Sequence, residues 1–224
     1  MTLYMRRLFV VLALACVPCV TQAQDAGVPP EVARLVEKFN DEAIPFNDKL
    51  LVLGKADAPT TAVLVFGLSG NGAYLVKRAI AEIIDKYVDT GKLKLVVIEM
   101  PLTWHDMQAF AGFRCVAPEK HWDVLKRALL YPRDVMNMKN ASLEGAPDYI
   151  WPMMKGFDVS REQAEKCMRN TAIVGLIEGQ RRVVQETWNT GTAPTFIVGD
   201  QVFVDPQNDN LILAAIAAAV KGEQ

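Results

Sequence analysis

Apolar positions recur with two different periods along this chain, and the changes of period divide it into elements. From Glu31 to Phe39 the apolar residues Val32, Leu35, Val36 and Phe39 keep helical spacing behind Pro29-Pro30. A proline costs little at a helix start, where its amide would have no intrahelical partner. Leu50 to Leu53 is a short apolar run ended by Gly54, and Asp57-Ala58-Pro59 marks a turn. Thr60 to Leu68, with Val63-Leu64-Val65-Phe66 in succession, predicts a strand buried on both faces. Ser69-Gly70-Asn71-Gly72 breaks it. Ala73 to Val88 then returns to helical spacing, with Leu75, Val76, Ile80, Ile83, Ile84 and Tyr87 on one wide face, and Gly91 near its stop. Leu93 to Ile98 predicts a second buried strand ending at Met100-Pro101. Strand, helix, strand in this order favours a parallel pair in one sheet.

From His105 to about Arg182 the period-two signal disappears. Asp106 to Val116, Glu119 to Leu130, Arg161 to Met168 and Thr171 to Trp188 are predicted helices, with Asp158-Val159-Ser160 and Glu162 as a start signal for the third. Pro132, Pro147 and Pro152 punctuate the block. Thr195 to Val198 and Gln201 to Val204 then predict a hairpin around Gly199-Asp200. A last helix runs from Asn210 to Val220, capped by Asn208 or Asp209. The whole reads β-α-β, a helical block, then β-β-α, an α/β chain.

The first residues follow another logic. Arg6-Arg7 precedes the apolar run Leu8 to Val17, and Thr21-Gln22-Ala23 places small residues three apart. Charge, apolar centre and small-residue site predict a secretory signal peptide cut after Ala23. The apolar centre is shorter than the ~20 residues of a membrane span. Lipidation at Cys16 is the weaker alternative, because Ala13-Leu14-Ala15 matches a lipoprotein site poorly. This organises the chain as a signal peptide at 1–23, an N-terminal helix and linker at 24–47, and a domain at 48–224 with a helical insertion over about 105–182. No membrane span is expected once the signal is removed.

The expected cleavage changes the charge and the cysteine inventory of a 224-residue chain that is 51% hydrophobic. Lys plus Arg falls from 24 to 22 against 26 acidic residues, for a formal charge of −4. Such a balance supplies no basic footprint for nucleic acid. Cys16 and Cys19 leave with the signal, and Cys115 and Cys167 remain. A pair of cysteines in an exported protein reads first as a structural disulfide, with two unpaired thiols as the alternative.

Several segments in order resemble the DsbA-like thioredoxin-fold family. They are Gly54-Lys55-Ala56-Asp57-Ala58-Pro59 before a strand ending in Phe66; Met100-Pro101-Leu102 with His105, Ala109 and Ala111; Cys115 followed by Lys120 to Leu125 and Leu129-Leu130; and Gly191-Thr192-Ala193-Pro194-Thr195 through Asp200. The match covers roughly residues 48 to 220. It implies a thioredoxin-like fold with an α-helical insertion, export to a bacterial periplasm, and a dithiol oxidoreductase site where the first strand gives way to its helix. There a helix N-terminus stabilises a cysteine thiolate. In this chain the four matching positions are Asn71-Gly72-Ala73-Tyr74 or, in a slightly shifted register, Ala73-Tyr74-Leu75-Val76, and no cysteine stands between Cys19 and Cys115. Exchange needs an attacking thiolate, so the family's dithiol chemistry does not transfer to this loop.

The resemblance also implies a proline, here Pro194, that is typically cis, lies against the active-site helix and follows backbone that pairs with an extended client. Thr192, Ala193 and Pro194 are therefore candidate binding residues, although Ala193 intervenes where the family often has Gly-Thr-Pro. Cys115 and Cys167 match cysteines that form a second, structural bridge in some relatives. Ser69 is a candidate for a glutathione-linked activity, since a hydroxyl beside helix amides can steady an anion, with turn or cap chemistry the plainer role. His105 and His121 are the only histidines and lack metal-ligand spacing, so both are expected at helix starts or on the surface and no metal or other cofactor is expected. Trp104, Trp122, Trp151, Trp188, Met153 and Met154 read first as packing residues, with the lining of a peptide groove as the alternative. The leading expectation is an exported binding or scaffold module for an extended polypeptide or an envelope protein. The alternative is a disulfide oxidoreductase working through Cys115 and Cys167, or a glutathione-linked activity using Ser69.

Overall fold

The computed structural model describes residues 44–69, 73–130, 137, 140–206 and 208–222, with backbone only at 73–77 and 130. The expected signal peptide, the helix over 31–39, and residues Asn71 and Gly72 lie outside the described residues.

Two short edge strands and three central ones make the sheet: β1 (Leu51–Leu53), β2 (Thr60–Phe66), β3 (Leu93–Glu99), β4 (Thr195–Val198) and β5 (Gln201–Val204). Their order is β1-β3-β2-β4-β5. β2 and β3 are parallel, with Val63 opposite Val96, and every other pairing is antiparallel. The parallel pair is joined by helix α1 (Ala73–Ile83), which continues as a wider π turn over Ile84–Val88. Alternation within the strands explains the continuous apolar runs. Leu64 and Phe66 point into the main core with Leu95, Val97 and Phe196. Val65, Ile98 and Ile197 point the other way, against Val184 and Ala193. Both faces are buried, so neither strand can afford a polar stripe.

The helical block comprises α2 (Trp104–Phe113), a 3-10 turn (Pro118–Lys120), α3 (His121–Leu130), α4 (Pro147–Met154), α5 (Arg161–Cys167) and α6 (Thr171–Trp188), and α7 (Asp209–Gly222) closes the chain. The caps are local. Ser160 Oγ accepts from the Gln163 amide while Gln163 Oε1 accepts from the Ser160 amide, a reciprocal capping box at α5. Asn170 Oδ1 accepts from Ala172 and Ile173 at the start of α6. Asn208 Oδ1 accepts from the Asn210 amide ahead of the last helix. Gly199, at φ +60°, makes the tight hairpin turn between β4 and β5.

Three differences from the sequence reading have physical reasons. Leu51–Leu53 is a strand, because β3 offers it a free edge; so short a run carries no period of its own. Pro147–Met154 is a helix although it holds two prolines. Pro147 stands in its first turn, where no amide partner is lost, and Pro152 forfeits a single bond to the first turn. His121 does begin a helix, as expected, but it is fully buried. Among the described residues no helix is long and apolar enough to cross a membrane.

Candidate functional site

The ends of β2 and β3 and the loop entering β4 meet at one corner of the sheet. The Met100 amide donates to the Phe66 carbonyl at 2.7 Å, which holds the two strand ends level. Gly67 follows Phe66 and is buried against both neighbouring loops. A Cβ placed on it would sit 2.8 Å from the Ala193 Cβ, 3.3 Å from the Met100 carbonyl oxygen and 3.6 Å from Leu102 Cδ1. Only glycine admits this approach. The Ala193–Pro194 peptide is cis, as the resemblance implied. The Pro194 carbonyl accepts from the Asp205 amide at 2.9 Å, and the Thr192 carbonyl accepts from Thr195 Oγ1 at 2.8 Å. Ala193 and Pro194 are buried, and Thr192 faces solvent. α1 begins at Ala73, so Ala73 and Tyr74 form its first turn.

Ser69 is buried at this corner and its hydroxyl donates to Asp106 Oδ1. Asp106 Oδ2 accepts from the Leu102 amide at 3.0 Å. Thr103 caps α2, its Oγ1 accepting from the Asp106 amide at 3.1 Å and lying 3.4 Å from Ser69 Oγ. The wholly buried carboxylate of Asp106 thus ties the loop after β2 to the loop after β3. His105 Nε2 bonds the Ala141 carbonyl at 3.1 Å and is a structural contact. Beside this clamp lies a cavity of about 190 Å³ lined by Pro101, Leu102, Thr103, Trp104, Met107, Glu178 and Arg181.

At the far end of α2 a polar cluster is buried in the core. Arg114 Nε donates to Glu99 Oε2 at 2.6 Å, and His121 Nε2 meets Glu99 Oε1 at 2.9 Å. Arg114 also donates to the carbonyls of Asn47 (2.9 Å) and Lys49 (3.1 Å) and to Gln180 Oε1 (3.2 Å). Burial works to raise the Glu99 carboxyl, but His121 and Arg114 together outweigh it and hold the group below its usual range. Cys115 and Cys167 are bonded, with Cα atoms 6.2 Å apart, joining the end of α2 to the end of α5. Cys167 is buried and Cys115 partly exposed. Among the described residues no three His, Cys, Asp or Glu side chains are grouped to hold a metal.

A family model described as thioredoxin matches residues 47–218. The chain belongs to this thioredoxin family. The chain is similar to a Rickettsia conorii protein whose name assigns it, provisionally, as a protein-disulfide oxidoreductase, 26% identical over 78% of this chain. The chain spans 60% of that relative's length. Solved structures share the fold. Bacillus subtilis BdbD superposes with a TM-score of 0.63 at 19% identity, covering 81% of this chain and all of that one. Chlamydia trachomatis DsbA gives 0.61 at 16% identity, covering 79% of this chain and 96% of its own. The fold is DsbA-like.

The cysteines of this chain stand outside the loop after β2. The one Cys-x-x-Cys spacing is Cys16 to Cys19, in the expected export signal and outside the described residues. The structure brings Pro194, Ala193 and Ser69 to one corner and sets the Cys115–Cys167 bridge at the far end of α2. Sequence reasoning missed Asp106, Glu99 and Arg114. Asp106 follows Thr103 at cap spacing, which is a signal for a helix start and not for a partner as distant as Ser69. Trp104 packs against the main core, as first read, and also lines the cavity.

Proposed function

We propose that this chain is an exported, periplasmic member of the DsbA-like thioredoxin family that works on polypeptides undergoing thiol–disulfide exchange, and that its own part is to hold an extended client along the Pro194 loop. The observation that carries this reading is the retained corner at Gly67, Ala193 and Pro194, with its cis peptide and its exposed Thr192, in a chain whose neighbouring loop has no thiol. Main-chain pairing with a client needs backbone and not cysteine.

The names of the relatives weigh more towards a disulfide oxidoreductase than towards a scaffold. That favours a second reading, in which exchange runs through Cys115–Cys167. An incoming thiolate would attack Cys115 Sγ, the more exposed sulfur, with Cys167 leaving as the thiolate. The glutathione-linked alternative draws no support from the geometry, since Ser69 is buried and its hydroxyl is given to Asp106.

The test is an assay of the purified mature protein for oxidation of a dithiol peptide and reduction of a disulfide substrate, beside an active DsbA-like enzyme. Background rates, with client peptides perturbing Thr192 to Pro194 in NMR spectra, are the expected result. Turnover that disappears in Cys115→Ser would transfer the function to the second reading.

A further inference from the structure

The sheet has a second face that α6 covers only in part. Residues paired across strands share a face, and the pairings run one row through all five strands: Val52, Val96, Val63, Ile197 and Val202. Ile197 is buried with Val65, Ile98 and Val184 of α6, and Val63 and Val96 pack against that cluster. Towards the β1 edge the cover ends. Val52 is 42% exposed, and Leu50, two residues earlier, is 45% exposed. A sheet face left to water carries polar residues, yet this row holds none. α6 borders the same edge. Arg114 donates to the Lys49 carbonyl at 3.1 Å and to Gln180 Oε1 at 3.2 Å, which brings the entry to β1 beside the middle of α6. Val183 lies one turn beyond Gln180 and is 54% exposed.

The chain itself carries a segment that fits. Among residues 24–43, which precede the described part, Val32, Leu35, Val36 and Phe39 keep helical spacing and so share one face. A helix over 31–39 is too short to persist alone in water, so its apolar stripe needs a surface. Such a helix is about 13 Å long, close to the roughly 10 Å from β1 across β3 to β2. Residues 40–43 reach up to about 17 Å. Their anchor is Ile44, packed on the main core ahead of Asn47 and its bonds, and β1 is an edge strand, so no further strand stands in the way. Charge agrees. The segment carries Asp25, Glu31, Glu37, Asp41 and Glu42 against Arg34 and Lys38, and the charged residue that shares the face with Val96 is Lys94. We infer that the apolar strip along β1 is the docking surface for the chain's own residues 31–39, laid down as a helix with Leu35, Val36 and Phe39 against Leu50, Val52 and Val96. This is independent of how the Pro194 loop is used.

The experiment records methyl NOEs and amide hydrogen exchange on the chain from residue 24 to residue 224, beside a free peptide of residues 24–43. NOEs from Leu35 and Val36 to Val52 and Val96 are expected, with the amides of 31–39 exchanging about ten-fold or more slowly than in the peptide. Leu35→Asp, in the segment, and Val52→Lys, at an exposed edge position, are each expected to abolish that protection while the amide spectrum of the sheet stays dispersed. Peptide-like exchange at 31–39, with Val52 unmoved by Leu35→Asp, overturns the inference and leaves the strip bare. Contacts that fade on dilution, with a dimer in sedimentation, give the strip to a second copy of the chain and overturn it as well. Protection at 31–39 that survives Val52→Lys, with NOEs to other residues, places the segment elsewhere and also overturns it.

Discussion

Asn47 offers its side-chain amide to His121 Nδ1 at 3.1 Å because its other atom, Oδ1, is taken by the backbone amide of Lys49 at 3.0 Å. That choice leaves His121 Nε2 to donate to Glu99. A residue ahead of the first strand is thereby joined to the start of α3, and the same residue gives its carbonyl to Arg114. The segment over 44–49 is held to the core by polar bonds as well as by Ile44 and Phe46.

Removing Arg114 from this cluster should be costly. Arg114→Ala leaves Glu99 charged and buried with one partner lost, and the expected loss is about 3–5 kcal/mol of unfolding free energy. Guanidinium unfolding of the two proteins measures it. A loss under about 1 kcal/mol, the range of an exposed pair, would mean that the cluster is hydrated.

The pH dependence follows from Glu99. Its carboxyl is held below the usual range in the folded protein, so the folded state binds that proton less readily than the unfolded chain does. The stabilisation is therefore complete above the unfolded value of about 4.5 and is lost as pH falls from there through the lower folded value. Unfolding midpoints between pH 3 and 6 should drop more steeply in the natural chain than in Glu99→Gln. Parallel curves would remove Glu99 from the account.

The Cys115–Cys167 bridge closes 52 residues. In the chain-entropy model this is worth about 4 kcal/mol. The double variant Cys115→Ala/Cys167→Ala should lose stability of that order, and dithiothreitol should lower the unfolding midpoint of the natural chain alone. Unchanged midpoints in reductant would show that the bridge is not formed in solution.

Gly67→Ala puts a methyl group 2.8 Å from the Ala193 Cβ. The loops must part, at an expected cost of about 1–3 kcal/mol, and amide exchange at Thr192 and Ala193 should quicken. An alanine variant of natural stability would mean that the Pro194 loop stands off from β2.

Ser69→Ala takes away a donor to a wholly buried carboxylate. A loss of about 1–3 kcal/mol is expected, with client-peptide affinity changed little if the clamp is only structural. Normal stability with lost turnover on glutathione substrates would restore Ser69 as a functional group.

Much of the architecture was legible in residue order. Val63 to Phe66, Thr195 to Val198 and the Gly199-Asp200 turn declare themselves by local pattern, and the helix predicted over Thr171 to Trp188 is the observed α6. Leu51–Leu53 did not, because three residues are too few to carry a period. His121 begins a helix as expected, but its burial was not legible, because a histidine near a helix start looks the same in sequence whether water or Glu99 lies beside it. The candidate site was half legible. Pro194 and its loop came from resemblance, and the cavity of Trp104 and Arg181 joins residues from two helices far apart in the chain.

By itself the sequence determined β2 to β5, most of the helices and the lack of any cysteine between Cys19 and Cys115, since periodicity, capping and residue identity are local properties. Only the tertiary structure decided that Glu99, Arg114, His121 and Asn47 meet in the core and that Asp106 takes the Ser69 hydroxyl. Buried polar groups must find partners wherever packing brings them, and packing joins residues that no local pattern relates.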